Sequence, residues 1–157
     1  MVAVFAGSVT SDFVDYNNHM NDAAYALVFS RAADGFFALA GIDAASRAST
    51  GLTIYTLAML IRYRREALLG EALHVSARIL EQDGRRVRLW LEMERGDGGP
   101  ALASCEQVLA SVRQSGTSAK ATGFAPGVAA WLDANGRAQA ALPWPADAGT
   151  GIALEWR

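Results

Sequence analysis

One cysteine, Cys105, in 157 residues leaves no partner for an internal disulfide and fits a reducing compartment. Histidine is nearly as scarce: His19 and His74 with that single thiol are too few, and too far apart, to suggest a zinc or other structural metal site, and no cofactor is expected. The N-terminus lacks a basic segment followed by a long apolar stretch, so no signal peptide is expected. No charge-free apolar run approaches about 20 residues, so no membrane span is indicated. These absences together point to a cytoplasmic protein. Neither sign of charge dominates: the net charge of −2 gives no case for nucleic-acid binding. Internal repeats and a Gly-x-Ser-x-Gly nucleophile elbow are also missing.

What is present is apolar. Hydrophobic residues make up 52% of the chain and charged residues 19%, enough for a packed core in one domain. The densest part runs from Asp15 to Ala40, a knot of polar residues followed by an apolar run to Gly41. Ala24, Leu27, Val28, Ala32, Phe36, Leu39 and Ala40 recur at three- and four-residue steps, the spacing of one helical face. Tyr25, Phe29, Ala33 and Phe37 fill its flank, so the helix is expected to be buried, with Arg31 and Asp34 on the side away from the core. Asn18 or Asn21 can cap its start, Asp22 suits the positive end of its dipole, and Gly41 is a natural stop.

Around this helix the pattern predicts strands. Val4 to Val14 reads as one, residues 43–51 as a loop, and Leu52–Tyr63 as a long strand rich in β-branched and aromatic residues. Leu73–Glu81 and the stretch from Val87 to Met93 alternate apolar with polar residues, joined by a two-residue hairpin signal at Asp83-Gly84. Ala101–Val112 reads as the last strand. Gln114 to Gly123 has the composition of a loop or linker, a short helix is expected from Gly127 to Ala134, and Leu142–Pro145 and Ile152–Trp156 read as extended. This gives an α+β fold: residues 1–113 as an antiparallel sheet wrapped around one long buried helix, and residues 114–157 as a linker, short helix and tail packed on the same domain.

The chemistry is expected at the polar turn. Asp15, between a strand and a helix N-terminus, reads either as a nucleophile or general base, or as an Asx-turn or cap residue. The unpaired N–H groups of the helix can hold a developing oxyanion. His19 reads as a substrate-binding, positioning or basic group, or as an ordinary loop histidine; His74 reads as solvated. Arg62, Arg64 and Arg65 end one strand, and Arg85, Arg86 and Arg88 surround a hairpin; each set reads as an anion contact or as a solvated strand end. Trp90 alternates outward with the arginines, which suggests a subunit interface or a ligand groove.

The turn Val14-Asp15-Tyr16-Asn17-Asn18-His19-Met20-Asn21 with Ala24-Tyr25, and the later Ile61–Arg65 and Leu69–Leu73, resemble the 4-hydroxybenzoyl-CoA thioesterase family over about residues 4–113. The resemblance implies a hotdog fold, hydrolysis of an acyl-CoA thioester, and a homodimer or homotetramer with sites between subunits. It assigns Asp15 as the catalytic carboxylate, the N–H near Asp22 as the carbonyl-polarising donor, and His19 as the motif histidine. Asn18, Tyr25, Arg62, Arg64 and Arg65 become the substrate-binding candidates. The family has glycine before the histidine, where this chain has Asn18. The turn and the tail Leu142–Leu154 are also similar to a branch acting on betainyl-CoA. Two other activities stay open at this stage. One is a hotdog hydratase, whose Asp-x-Asn-Pro-x-His pattern differs from Asp15–His19 by a missing proline and a one-residue shift. The other is an inactive acyl-CoA-binding subunit.

Overall fold

The computed structural model describes residues 1–152. Helix α1 (Asp22–Leu39) starts at Asn21, whose side chain accepts the Ala23 N–H at 2.9 Å. It ends before Gly41, which takes φ +95°. Its buried face is a stripe of adjacent pairs, Ala24 and Tyr25, Val28 and Phe29, Ala32 and Ala33, Phe36 and Phe37. Arg31 and Asp34 are exposed as the pattern requires, but Leu27 and Leu39, expected on the buried face, are exposed too. The stripe is set by the four aromatic side chains, whose area outweighs a leucine at either margin.

The sheet embraces this helix. Strands β1 (Val2–Ser8), β2 (Leu52–Tyr63), β3 (Ala72–Gln82), β4 (Arg86–Arg95) and β5 (Ala103–Ser115) lie in the order β1-β3-β4-β5-β2, each pair antiparallel. Leu73, Val75, Ala77 and Ile79 of β3 and Val87, Leu89, Leu91 and Met93 of β4 face the helix and are buried. One contact fixes how close the layers come. A Cβ at Gly35 would lie 2.1 Å from the Val4 carbonyl oxygen, so α1 meets β1 at a point only glycine allows.

Several boundaries differ from the pattern. The first strand stops at Ser8, and Ser11–Phe13 forms a 3-10 turn rather than carrying the strand to Val14. The expected loop at 43–51 is helix α2 (Ala44–Thr50), nucleated by a reciprocal capping box in which Ser46 N–H donates to Asp43 at 2.8 Å and Asp43 N–H to Ser46 Oγ at 2.9 Å. The β3–β4 hairpin turns on Gly84-Arg85, one residue later than expected. Asp83 N–H closes the turn on the Arg86 carbonyl at 3.1 Å, and its carboxylate takes the Arg85 and Arg86 N–H groups. The Arg86 guanidinium beside it holds the Asp83 carboxyl down at about 2. The expected linker 114–123 contains strand β6 (Ser118–Ala121), folded back on the end of β5.

Helix α3 runs from Pro126 to Gln139, past the expected stop at Ala134. It sends Val128 and Leu132 into the shared core, and its Gln139 Oε1 accepts the Ile79 N–H at 2.9 Å, beside an irregularity in the β3–β4 register. Leu142–Pro145 forms no ladder but lies over the outer face of the sheet. Trp90 is 3% exposed and, with Arg78, Glu92 and Leu142–Pro145, lines a cavity of about 330 Å³ between the strap and the sheet. Of Ile152–Trp156 only Ile152 is described; the remainder lies outside the described residues. Among the described residues no single helix is long and apolar enough to cross a membrane.

Candidate active site

The polar turn is a small hairpin wedged between the 3-10 turn and the segment after β2. Asp15 N–H donates to the His19 carbonyl at 2.9 Å, and Asn18 N–H to the Asp15 carbonyl at 3.0 Å. Asn18 stands at φ +60°, the left-handed conformation that glycine adopts most readily and asparagine tolerates. The substitution of asparagine for the family's glycine is therefore compatible with this turn. Met20 N–H donates to the Ala67 carbonyl at 2.8 Å and Asn21 N–H to the Phe13 carbonyl at 2.7 Å, which clamps the turn from both sides.

Asp15 is half-buried, and its Oδ1 accepts the Asn17 N–H at 2.8 Å, an Asx-turn; Oδ2 has no hydrogen bond among the described residues. The Asx-turn and a chemical role are thus compatible, since one oxygen stays open. At the helix start, Ala23 N–H goes to the side chains of Asn21 and Asp22, and the N–H groups of Ala24 and Tyr25 to the Asn21 carbonyl. Asp22 N–H alone in this first turn keeps no partner among the described residues.

A cavity of about 360 Å³ opens beside this helix start. Of the residues singled out in the sequence, His19, Asp22, Tyr25, Arg64 and Arg65 line it, together with Met20; Asp15, Asn18 and Arg62 do not. Two lining residues, Tyr63 and Glu66, went unnoticed in the sequence. Their one signal in the sequence is position: Tyr63 lies between Arg62 and Arg64, and Glu66 follows Arg65. The Tyr63 ring stands edge-on to Tyr25, centroids 5.3 Å apart, and its hydroxyl donates to the Asp22 carbonyl at 3.3 Å. Tyr25 donates to the Arg65 carbonyl and accepts the Ala67 N–H, both at 3.1 Å. Burial raises the pKa of both phenols, so each enters the site as a neutral group. His19 Nε2 lies 3.4 Å from a Glu66 carboxylate oxygen.

The arginines divide. Arg65 spends one nitrogen on the Ala101 carbonyl at 3.1 Å. Arg64 Nη2 meets Ser104 Oγ and the Asp147 carboxylate. Arg62 donates to Thr150 Oγ1 at 2.6 Å and to the Gly151 carbonyl at 2.8 Å, away from the cavity. In the second cluster Arg86 pairs with Asp83, and Arg88 with Glu81 and Glu106, so these two charges are already met within the fold. His74 is exposed on the outward side of β3. Among the described residues no group of histidine, cysteine and carboxylate side chains is placed to hold a metal ion.

Known proteins similar to this chain in sequence and in shape are consistent with one another. A 32% identity links the chain to the betainyl-CoA thioesterase of Pseudomonas aeruginosa, over 98% of this chain and 96% of that one. The L-carnitine dehydrogenase/betainyl-CoA thioesterase of Ruegeria pomeroyi is 30% identical over 96% of this chain, which spans only 30% of that longer protein. Among solved structures, a Staphylococcus aureus protein in complex with CoA superposes with a TM-score of 0.86 at 27% identity, covering 99% of this chain and 98% of its own. The profile of the thioesterase-like superfamily matches residues 9–132. By that match, by its relatives and by a sheet wrapped around one buried helix, the chain belongs to the thioesterase-like superfamily of hotdog-fold proteins.

Proposed function

We propose that this protein hydrolyses a small acyl-CoA thioester to the free acid and CoA, and that the acyl group is betainyl. The observation that carries the reading is the identity of 32% along nearly the whole of both chains with a betainyl-CoA thioesterase. In this reading the thioester carbonyl sits at the start of α1, with its oxygen on the Asp22 N–H. Asp15 stands outside the cavity lining, so in this reading the thioester extends past the helix start to its open oxygen, which adds to the carbonyl carbon or takes a proton from the attacking water. Either route gathers negative charge on the carbonyl oxygen, where a fixed N–H donor at a helix N-terminus stabilises it more in the transition state than in the ground state. Collapse breaks the C–S bond, and the thiolate leaves as CoA; if Asp15 was the nucleophile, water then hydrolyses the acyl–Asp15 anhydride, and if it was the base, the free acid is released directly. His19, held by Glu66, orients the turn or the water. Arg64 and Arg65 face the phosphates of CoA.

The cavity lining gives support for a cationic acyl group: Tyr25 and Tyr63 supply aromatic rings and Asp22 and Glu66 acidic residues, while Arg64 and Arg65 of the same lining are left for the phosphates of CoA. A quaternary ammonium cannot donate a hydrogen bond, so aromatic faces and nearby negative charge are what can recognise it. We also read the protein as a homodimer through β2. That strand pairs on one side only among the described residues, and it exposes Tyr55 and Leu57.

The test of the acyl group compares betainyl-CoA with 3,3-dimethylbutanoyl-CoA, the same shape without the charge. A kcat/KM at least about tenfold higher for betainyl-CoA is expected from cation recognition. Equal values for the two esters contradict it.

A further inference from the structure

Residues 142–151 form a strap across the outer face of the sheet, and its contacts lead to the cavity. Arg78 of β3, 6% exposed, donates to the Pro143 carbonyl at 2.6 Å and to the Leu142 carbonyl at 3.3 Å. Trp144 lies under the Arg88 guanidinium of β4, 5.9 Å from ring centre to carbon. Gly149 N–H donates to Glu106 of β5 at 2.8 Å. On β2 the strap takes Arg62 through Thr150 and Gly151, and just past the end of that strand it takes Arg64 through Asp147. The strap is thus anchored on four strands, and Asp147 belongs to a fixed turn rather than to a loose end.

Arg64 is the one anchored side chain that also lines the cavity. Only its Nη2 is engaged, by Asp147 and, at 3.4 Å, by the buried Ser104 hydroxyl. Its Nε and Nη1 make no hydrogen bond among the described residues. A guanidinium has five donors in a rigid plane, so pinning one end fixes the direction of the other. Arginine otherwise loses rotamer entropy when it is ordered on a ligand.

We propose that Asp147 is a positioning residue for the CoA moiety: it holds Arg64 by Nη2 so that the free edge of the guanidinium meets a phosphate of the substrate. The inference rests on the acyl-CoA reading above and assigns the C-terminal strap a part in the binding site. Asp147 touches no substrate and acts through Arg64 alone.

The experiment uses the full chain, with CoA and with one acyl group carried either on CoA or on pantetheine, which lacks the nucleotide phosphates. In Asp147→Asn, the Kd for CoA by calorimetry and the KM for the CoA ester are expected to rise about tenfold, the cost of one well-placed ionic contact. The KM for the pantetheine ester and the kcat for the CoA ester should stay within about twofold. Asp147→Glu restores the CoA values. Combining Asp147→Asn with Arg64→Gln adds nothing beyond Arg64→Gln alone, because both changes remove the same contact. Unchanged or tighter CoA binding in Asp147→Asn overturns the proposal, as does an equal loss on both esters or full additivity with Arg64→Gln. The two readings separate in the wild type. Hydrolysis of no thioester, with CoA still bound, defeats the thioesterase reading, while the Kd of Asp147→Asn still decides the role of Asp147.

Discussion

Asn18 holds the left-handed turn at φ +60° that delivers His19 to the cavity wall, a conformation costing most residues with a Cβ about 1–2 kcal/mol. Asn18→Gly should therefore leave stability unchanged or slightly raised, and Asn18→Ala should lose about 1 kcal/mol in urea unfolding. Equal stability of the two variants would contradict a strained turn. Cys105 shows what burial does to a titrating group. Desolvation pushes its thiol from 9.0 up to about 12, against a smaller opposing contact from Gln107. Above pH 9 the unfolded chain loses this proton and the folded chain keeps it, so the native state binds more protons and stability falls as pH rises toward 12. The stability gap between wild type and Cys105→Ala should shrink by about 1–2 kcal/mol between pH 9 and 10.5. A constant gap would show that the thiol is not desolvated. At this scale the sequence displayed Asp15, His19, Asp22 and Tyr25, because the turn is local and its polar residues are neighbours. Tyr63 was hidden because only tertiary pairing brings it to Tyr25 from across the chain.

The long helix and the alternating strands were legible because burial imprints a period on the chain, as in the paired positions of α1 and the inward residues of β3. What period does not record is chemistry between individual groups. Helix α2 depends on the Asp43–Ser46 capping box in a stretch otherwise of loop composition. The linker-like 114–123 segment becomes part of a hairpin because β5 offers its backbone to β6. Gly35 is a further case: glycine in a helix interior costs helix stability, yet here it is where helix and sheet meet. Gly35→Ala should destabilise the fold by about 1–3 kcal/mol, although alanine is the better helix former, because its methyl group collides with the backbone of β1. A gain in the urea midpoint would mean that the helix can move away from β1 freely.

Across the whole molecule, composition and element order were enough to anticipate a sheet closed on one helix, since no other layer could bury both. The outer face could not be read in the same way. Arg78 and Trp90 sit at outward strand positions yet are buried, because a non-periodic strap covers them, and the same strap redirects Arg62 away from the cavity. The edge strand β2 carries the account of assembly. Leu57→Asp is expected to turn a dimer into a monomer in light scattering, and an unchanged mass would contradict pairing through that edge. The central claim is tested most directly by free-thiol release from a panel of short, medium, long, aromatic and betainyl CoA esters, with wild type and Asp15→Asn side by side. Hydrolysis of betainyl-CoA by the wild type is predicted, reduced at least about 100-fold in Asp15→Asn while CoA binding persists. Wild-type turnover in the variant, or no thiol release from any ester by the wild type, would contradict it.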